Sequence, residues 1–253
     1  MKFCVFAILL VAGFHYGSAA LEKVECNYVQ DEYDYICELH ITNPNGLDSF
    51  TSIDGTHLAG FGNADVVRVV RNVASYTTRI PSIICNTFTN LASFDFHNDF
   101  VASVDDNAFR GCTNLHMLSL STNNIASLST NAFRFNTGLW MLYLDNNRLT
   151  ELPRTLLSSE EFLISLNLNG NSISTIHFDS FGDHPNLSYL SLSRNTITAF
   201  DERVINYSNI YSLEFTGNSC ASGDFTDESE NRDTIRAALS VCFQNYVNQY
   251  GRK

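Results

Sequence analysis

Residues 115–125 read LHMLSLSTNNI, and the same arrangement returns as LWMLYLDNNRL at 139–149, LISLNLNGNSI at 163–173 and LSYLSLSRNTI at 187–197. Each segment is L-x-x-L-x-L-x-x-N-x-(I/L), and the opening leucines Leu115, Leu139, Leu163 and Leu187 are separated by 24 residues every time. Within a segment the leucines alternate with polar residues, which is the periodicity of a strand buried on one face. The asparagines Asn123, Asn147, Asn171 and Asn195 close each strand. Their amides carry both donors and acceptors, suited to the unpaired backbone groups of a turn.

Two further columns recur outside the strands. Leu128, Leu152, Ile176 and Phe200 come five residues after each asparagine, and Phe133, Leu157, Phe181 and Ile205 five residues later. Both should face inward. A coil holding one strand edge, one turn residue and one convex-side residue cannot bury them alone, so successive coils must stack. The fold class that follows is an α/β solenoid, a leucine-rich repeat horseshoe with a parallel concave β-sheet. Leu91, Phe94, Phe96, Asp99 and Val101 extend the pattern upstream, with Val104 and Phe109 in the columns and Asp99 in place of the asparagine. Ile210, Leu213, Phe215, Asn218 and Cys220 extend it downstream after an interval of 23. Six repeats are readable, and degenerate coils are expected around Ile36–Ile41 and Val66–Val70.

The organisation expected is a signal peptide at 1–20, an N-terminal cap with degenerate repeats at 21–90, the repeats at 91–220 and a C-terminal cap helix at 221–253. Residues 1–20 carry Lys2, an apolar run from Phe3 to Phe14 and Ser18-Ala19-Ala20, the layout of a secretory signal cleaved after Ala20. That run is short for a bilayer, and the rest of the chain has no span or lipid-anchor tail, so no membrane anchor is expected. The turn-rich stretch 43–65 reads as an irregular connection inside the N-terminal cap.

Loss of the signal would remove Lys2 and Cys4, leaving a formal charge of 14 − 27 = −13 and six cysteines. Such an acidic chain is a poor match for a phosphate backbone, so nucleic acid is not an expected partner. An even cysteine count in an oxidising compartment favours disulfides. Cys26 and Cys37 bracket an acidic-aromatic loop and would close the N-terminal cap. Cys220 and Cys242 would tie down one amphipathic cap helix, starting near Asp227-x-x-Glu230, with Ile235, Ala238, Leu239, Cys242, Phe243 and Tyr246 at helical spacing on its inner face. Cys85 and Cys112 lie out of phase in adjacent coils, and both a bridge and two buried thiols fit the sequence. The sequons Asn186-Leu187-Ser188 and Asn206-Tyr207-Ser208 are glycosylation candidates, with Asn206 preferred because Asn186 lies close to the stack.

Enzyme signatures are absent, and the scattered histidines lack metal-ligand spacing, so neither catalysis, a metal nor a cofactor is expected. The acidic residues near Asp224–Asp233 read as the exposed start of a helix. Function is expected on the concave face, where His116, Met117, Trp140, Met141, Tyr143, Tyr189 and Tyr211 are the candidate ligand-binding residues. Aromatic and Met side chains among Ser, Asn and Asp have the composition of a protein-binding hot spot. The competing reading is that Trp140, the one tryptophan of the chain, folds over the rim and covers core.

With repeats, caps and signal together, the chain resembles secreted leucine-rich repeat proteins of dipteran insects. The repeat block is similar to the extracellular parts of Toll-like receptors and to leucine-rich immune proteins of mosquito haemolymph. Cys26 with Tyr35-Ile36-Cys37, Ile53-x-Gly55-x-His57 and Arg79-Ile80-Pro81 are similar to the amino-terminal region of dipteran members. The resemblance implies recognition of an extracellular protein or glycan ligand, often in innate immunity. No heptads follow the repeats, unlike the mosquito proteins, and the four-cysteine C-terminal cap of receptors is reduced to Cys220 and Cys242. Inhibition of a secreted enzyme and a matrix or adhesion role are the alternatives the same surface allows.

Overall fold

A computed structural model describes residues 23–42, 52–71, 77–159, 161–182, 184–206, 209–226 and 232–251. The signal segment, residues 43–51 of the 43–65 connection and the Asp227-x-x-Glu230 helix start lie outside the described residues. A ten-stranded sheet forms the concave face, in the order β1-β2-β3-β4-β6-β8-β9-β11-β13-β14. Its repeat strands are β4 (Ser93–Asp95), β6 (Met117–Ser119), β8 (Met141–Tyr143), β9 (Ser165–Asn167), β11 (Tyr189–Ser191) and β13 (Ser212–Glu214). All pair in parallel at matched repeat positions, so Met117, Met141 and Ser165 are neighbours across three strands. The two-residue strands β5 (Ser103–Val104) with β7 (Ser127–Leu128), and β10 (Thr175–Ile176) with β12 (Ala199–Phe200), form the first turn column.

The core lies between the sheet and the convex turns. Leu115, Leu118, Leu120, Leu139, Leu142 and Leu144 are wholly buried, as are Phe109 and Phe133 of the convex column. Phe94, Phe96, Phe109 and Phe133 stack through adjacent coils, with centroids 5.6–6.1 Å apart. The ladder asparagines join the coils. Asn147 Nδ2 donates to the carbonyls of Leu120 in the preceding coil (2.9 Å) and Leu144 in its own (3.0 Å), and its Oδ1 accepts the Ile125 N–H (3.0 Å). Asn123, Asn171 and Asn195 repeat this set. Just before each rung the backbone turns left-handed, at Asn98, Thr122, Asn146, Gly170, Arg194 and Gly217.

Both ends depart from the sequence reading. The segment between Cys26 and Cys37 is a hairpin, β1 (Lys23–Gln30) antiparallel to β2 (Tyr35–Thr42), where a loop was expected. Asp31 accepts the Tyr33 and Asp34 N–H groups and builds a four-residue turn, which lets the flanking residues pair. β2 then runs parallel to β3 (Val66–Arg71), and β3 to β4, so the degenerate coils complete the sheet. Residue 54 covers the outer edge of β1 through bonds to Val24 and Cys26. Gly55 is needed there, because a Cβ would lie 2.4 Å from the Cys26 carbonyl oxygen.

At the other end an unforeseen strand, β14 (Asp224–Thr226), pairs antiparallel with β13. Asp224 therefore belongs to the sheet, correcting its assignment to a helix start. The described cap helix is two helices, α4 (Arg232–Ala238) and α5 (Ser240–Tyr250), broken at Leu239 where ψ is near 8°. The break lets Ile235 and Leu239 pack from one segment and Cys242, Phe243 and Tyr246 from the next. Phe243 meets Phe200 at 5.9 Å, closing the core.

Disulfides join Cys26–Cys37, Cys85–Cys112 and Cys220–Cys242. The middle pair was open on sequence because of its phase. The coil carrying Cys85 winds a helical turn, α1 (Ile83–Thr87), which brings its Cα within 4.8 Å of Cys112. Gly111 allows the approach, since a Cβ there would sit 2.5 Å from the Cys85 carbonyl oxygen.

Candidate ligand-binding face

Strand alternation puts Leu118, Leu142, Leu166, Leu190 and Leu213 inside and their neighbours on the open face. Where the chain enters the strands, His116, Trp140, Ile164, Ser188 and Tyr211 form one column, linked by backbone bonds from Trp140 N to His116 O, Ile164 N to Trp140 O and Tyr211 N to Ser188 O. Met117, Met141, Ser165, Tyr189 and Ser212 form the next.

Trp140 stands on this face, 46 % exposed, and stacks on His116 with centroids 4.8 Å apart. Met141 is exposed, Met117 and Tyr143 are half-buried, and the Tyr143 hydroxyl donates to Met141 Sδ at 3.3 Å. Tyr189 and Tyr211 are exposed and meet edge to face at 5.9 Å, two strands further on. The candidates thus fall into two groups. Ile164 and Phe162 also expose large apolar side chains beside Trp140's coil. Phe162 was missed because it precedes its leucine and lies outside the strand template; comparison with Asn90, Asn114 and Asn186 at the same repeat position would have flagged it.

The exit side of the same strands is acidic. Asp145 accepts the Ser121 hydroxyl at 2.6 Å and the Asn146 amide at 2.7 Å. Glu214 accepts the Asn169 amide at 2.7 Å across two coils. Asp224 accepts the Phe215 and Thr216 N–H groups and the Ser193 hydroxyl. Burial by itself would raise the Asp224 carboxyl, but the hydrogen bonds from Thr216, Phe215 and Ser193 outweigh it and hold it below the ordinary carboxylate range. These side chains border an open cleft of about 410 Å³ with Asn146, Asn167 and Arg194.

A second asparagine column, unrecognised in the sequence, marks the strand entry. Asn90, Asn114, Asn186 and Asn209 donate to carbonyls of Ala64, Thr89, Glu161 and Pro185 in the preceding coil. The sequon residue Asn186 is a rung of it and is exposed. Asn206 lies on α3 (Arg203–Asn206), where its Oδ1 accepts Arg236 at 2.5 Å under the cap. Among the described residues no His, Cys, Asp and Glu group is placed to hold a metal, and no helix is long and apolar enough to cross a membrane.

No curated protein matches the sequence. Among solved structures, the chain aligns with a chain of the Toll–Spatzle complex, a molecular hub in Drosophila development and innate immunity. The alignment has 15 % identity and a TM-score of 0.43, covering 62 % of this chain and 26 % of that one. The sequence profile described as leucine rich repeat matches residues 89–149, 139–197 and 161–218, together about half of the 253 residues. The chain belongs to the leucine rich repeat family.

Proposed function

We propose that this is a secreted, non-enzymatic binding protein that captures an extracellular protein through its concave face. The observation that carries the reading is the Trp140 cluster: a stacked indole and imidazole, two methionines and a tyrosine on a face whose remaining side chains are mostly short and polar. Large apolar groups left on a sheet that already has a complete core contribute little to folding and much to binding. Three disulfides and the Lys2–Ala20 segment support an oxidising, extracellular setting. A role in innate immunity follows from the family resemblance of the repeats and N-terminal segment. Asn186 and Asn206 both stay glycosylation candidates: Asn186 is exposed with its Nδ2 donating to Glu161 O, and Asn206 uses only its Oδ1, toward Arg236.

The test is cross-linking capture from the native extracellular fluid with wild type and the Trp140→Ala/Tyr143→Ala double variant. The reading expects one specific protein to be lost with the double variant while thermal stability changes little. Equal capture by both proteins, or a double variant that no longer folds, would count against it.

A further inference from the structure

The apolar and acidic side chains of the concave face are sorted into two parallel tracks. Along the strand entry run His116, Trp140, Ile164 and Tyr211, with Met141 and Tyr189 beside them. Along the exit lie Asp145, the carboxylate of Glu214, which stands in the Tyr143 register but reaches Asn169 of the Asp145 column, and Asp224. Trp140 and Asp145 lie five positions apart across the three-residue strand β8, up to roughly 16 Å at about 3.3 Å per residue. Each track crosses the coils at about 4.8 Å per strand, so the ribbon between them runs roughly 20 Å along the solenoid axis.

Among the described residues, no cation donates a hydrogen bond to the exit carboxylates. The hydrogen-bond donors to Asp145, Glu214 and Asp224 are hydroxyls, amides and backbone N–H groups, all neutral. They orient the carboxylates without cancelling them, and Arg194 is the guanidinium bordering the same cleft. A ligand on this ribbon must therefore bring an apolar stripe to one side and positive charge to the other. An α-helix about 10–12 Å across fits between tracks that far apart, and about four turns cover the length.

The geometry points to a cationic amphipathic helix of a partner protein as the occupant, lying along the solenoid axis with its apolar stripe on Trp140 and its basic flank on Asp145 and Glu214. This rests on the concave face being the binding face and adds the chemistry of what it binds.

Trp140 is the one tryptophan in the chain, so its emission reports the apolar track directly. The probe is an 18-residue Trp-free helical peptide of Leu and Lys, titrated into the full chain at low salt beside versions with every Lys changed to Gln or to Glu. The Lys peptide is expected to shift Trp140 emission to shorter wavelength and to bind at least about tenfold more tightly than the Gln version. Raising the salt, or Asp145→Asn/Glu214→Gln, should weaken it by a similar factor. Asp105→Asn/Asp106→Asn removes the same charge from the turn after β5, outside the concave face, and should change affinity less than about twofold.

Equal binding of the Gln peptide, equal loss in the Asp105/Asp106 variant, or binding without an emission change would overturn the proposal. Capture of the native partner that needs Trp140 and Tyr143 but ignores Asp145→Asn/Glu214→Gln would also overturn it, while leaving the concave-face reading intact.

Discussion

Trp140 and Leu142 are two residues apart on one entry into the sheet, yet Trp140 is 46 % exposed and Leu142 wholly buried. Trp140 precedes β8 and stands outside its alternation, whereas Leu142 is the inward residue of that strand, so their substitution costs should differ sharply. Leu142→Ala is expected to lose about 2–5 kcal/mol, from lost burial and the cavity left behind. Trp140→Ala should lose about 1 kcal/mol or less. Chemical denaturation of both variants checks this, and a loss for Trp140→Ala as large as that for Leu142→Ala would make the indole a packing residue.

The Asn147 rung offers a sharper probe of the stack. Asn147→Leu keeps the volume but removes the donors to Leu120 and Leu144 and the acceptor for Ile125 N–H. Each buried group left without a partner costs about 1–3 kcal/mol, so a total of several kcal/mol is expected. Asn147→Asp keeps only the acceptor and should fall between. Hydrogen exchange at Ile125 should accelerate in the Leu variant more than in the Asp variant.

Thr122 holds φ at 55° where equivalent coils place Asn98, Asn146, Gly170, Arg194 and Gly217. A β-branched residue is strained there by about 1 kcal/mol. Thr122→Asn should raise stability by roughly 0.5–1 kcal/mol, or about 2–4 °C in Tm. Gly170→Thr should do the opposite, since a Cβ at Gly170 would lie 2.6 Å from Asn146 Oδ1. A melting comparison of the two variants reads both signs at once.

The C-terminal cap should set pH limits on stability. His177 bonds the Tyr246 hydroxyl at 3.0 Å and packs against Tyr250. Burial, aided by Arg154, lowers its pKa below 6.5, while Asp179, Asp201 and Glu151 pull the other way. Below 6.5 the unfolded chain takes up the proton first, so the contribution is full above that pH and is lost as pH falls through the folded value. Burial and the nearby Asp201 push Tyr246 up to about 12. Its contribution is full below pH 10 and is lost as pH rises through about 12. His177→Asn should flatten part of the acid limb of a Tm–pH curve and leave the alkaline limb in place. An unchanged acid limb would remove His177 from the account.

Cys85–Cys112 closes a loop of 27 residues between adjacent coils. Cys85→Ala/Cys112→Ala should cost about 2–4 kcal/mol. Gly111→Ala should approach that loss by forcing the two backbones apart, and non-reducing mass analysis would show whether the bridge still forms.

The repeat interval, the leucine and asparagine columns and the buried turn residues were legible in the sequence. A solenoid coil repeats one local environment every 24 residues, so its buried positions print themselves onto the chain at a fixed period. The ends break that period and were read less well. The β14 strand and the break at Leu239 depend on what the neighbouring coil leaves unpaired, which no local pattern records, whereas the Asp31 turn is made by local bonds to Tyr33 and Asp34 and went unread in the sequence. The Cys85–Cys112 bridge depended on how α1 winds and on the close approach at Gly111.

The sequence by itself determined the stack and which strand residues point outward, because alternation and period are properties of the chain. Only the tertiary structure decided that the Glu214 carboxylate reaches Asn169 of the Asp145 column and that β14 turns back to set Asp224 against Ser193. Asp145 and Asp224 lie 79 positions apart, and the antiparallel return of β14, which no repeat period records, puts both on the border of one cleft.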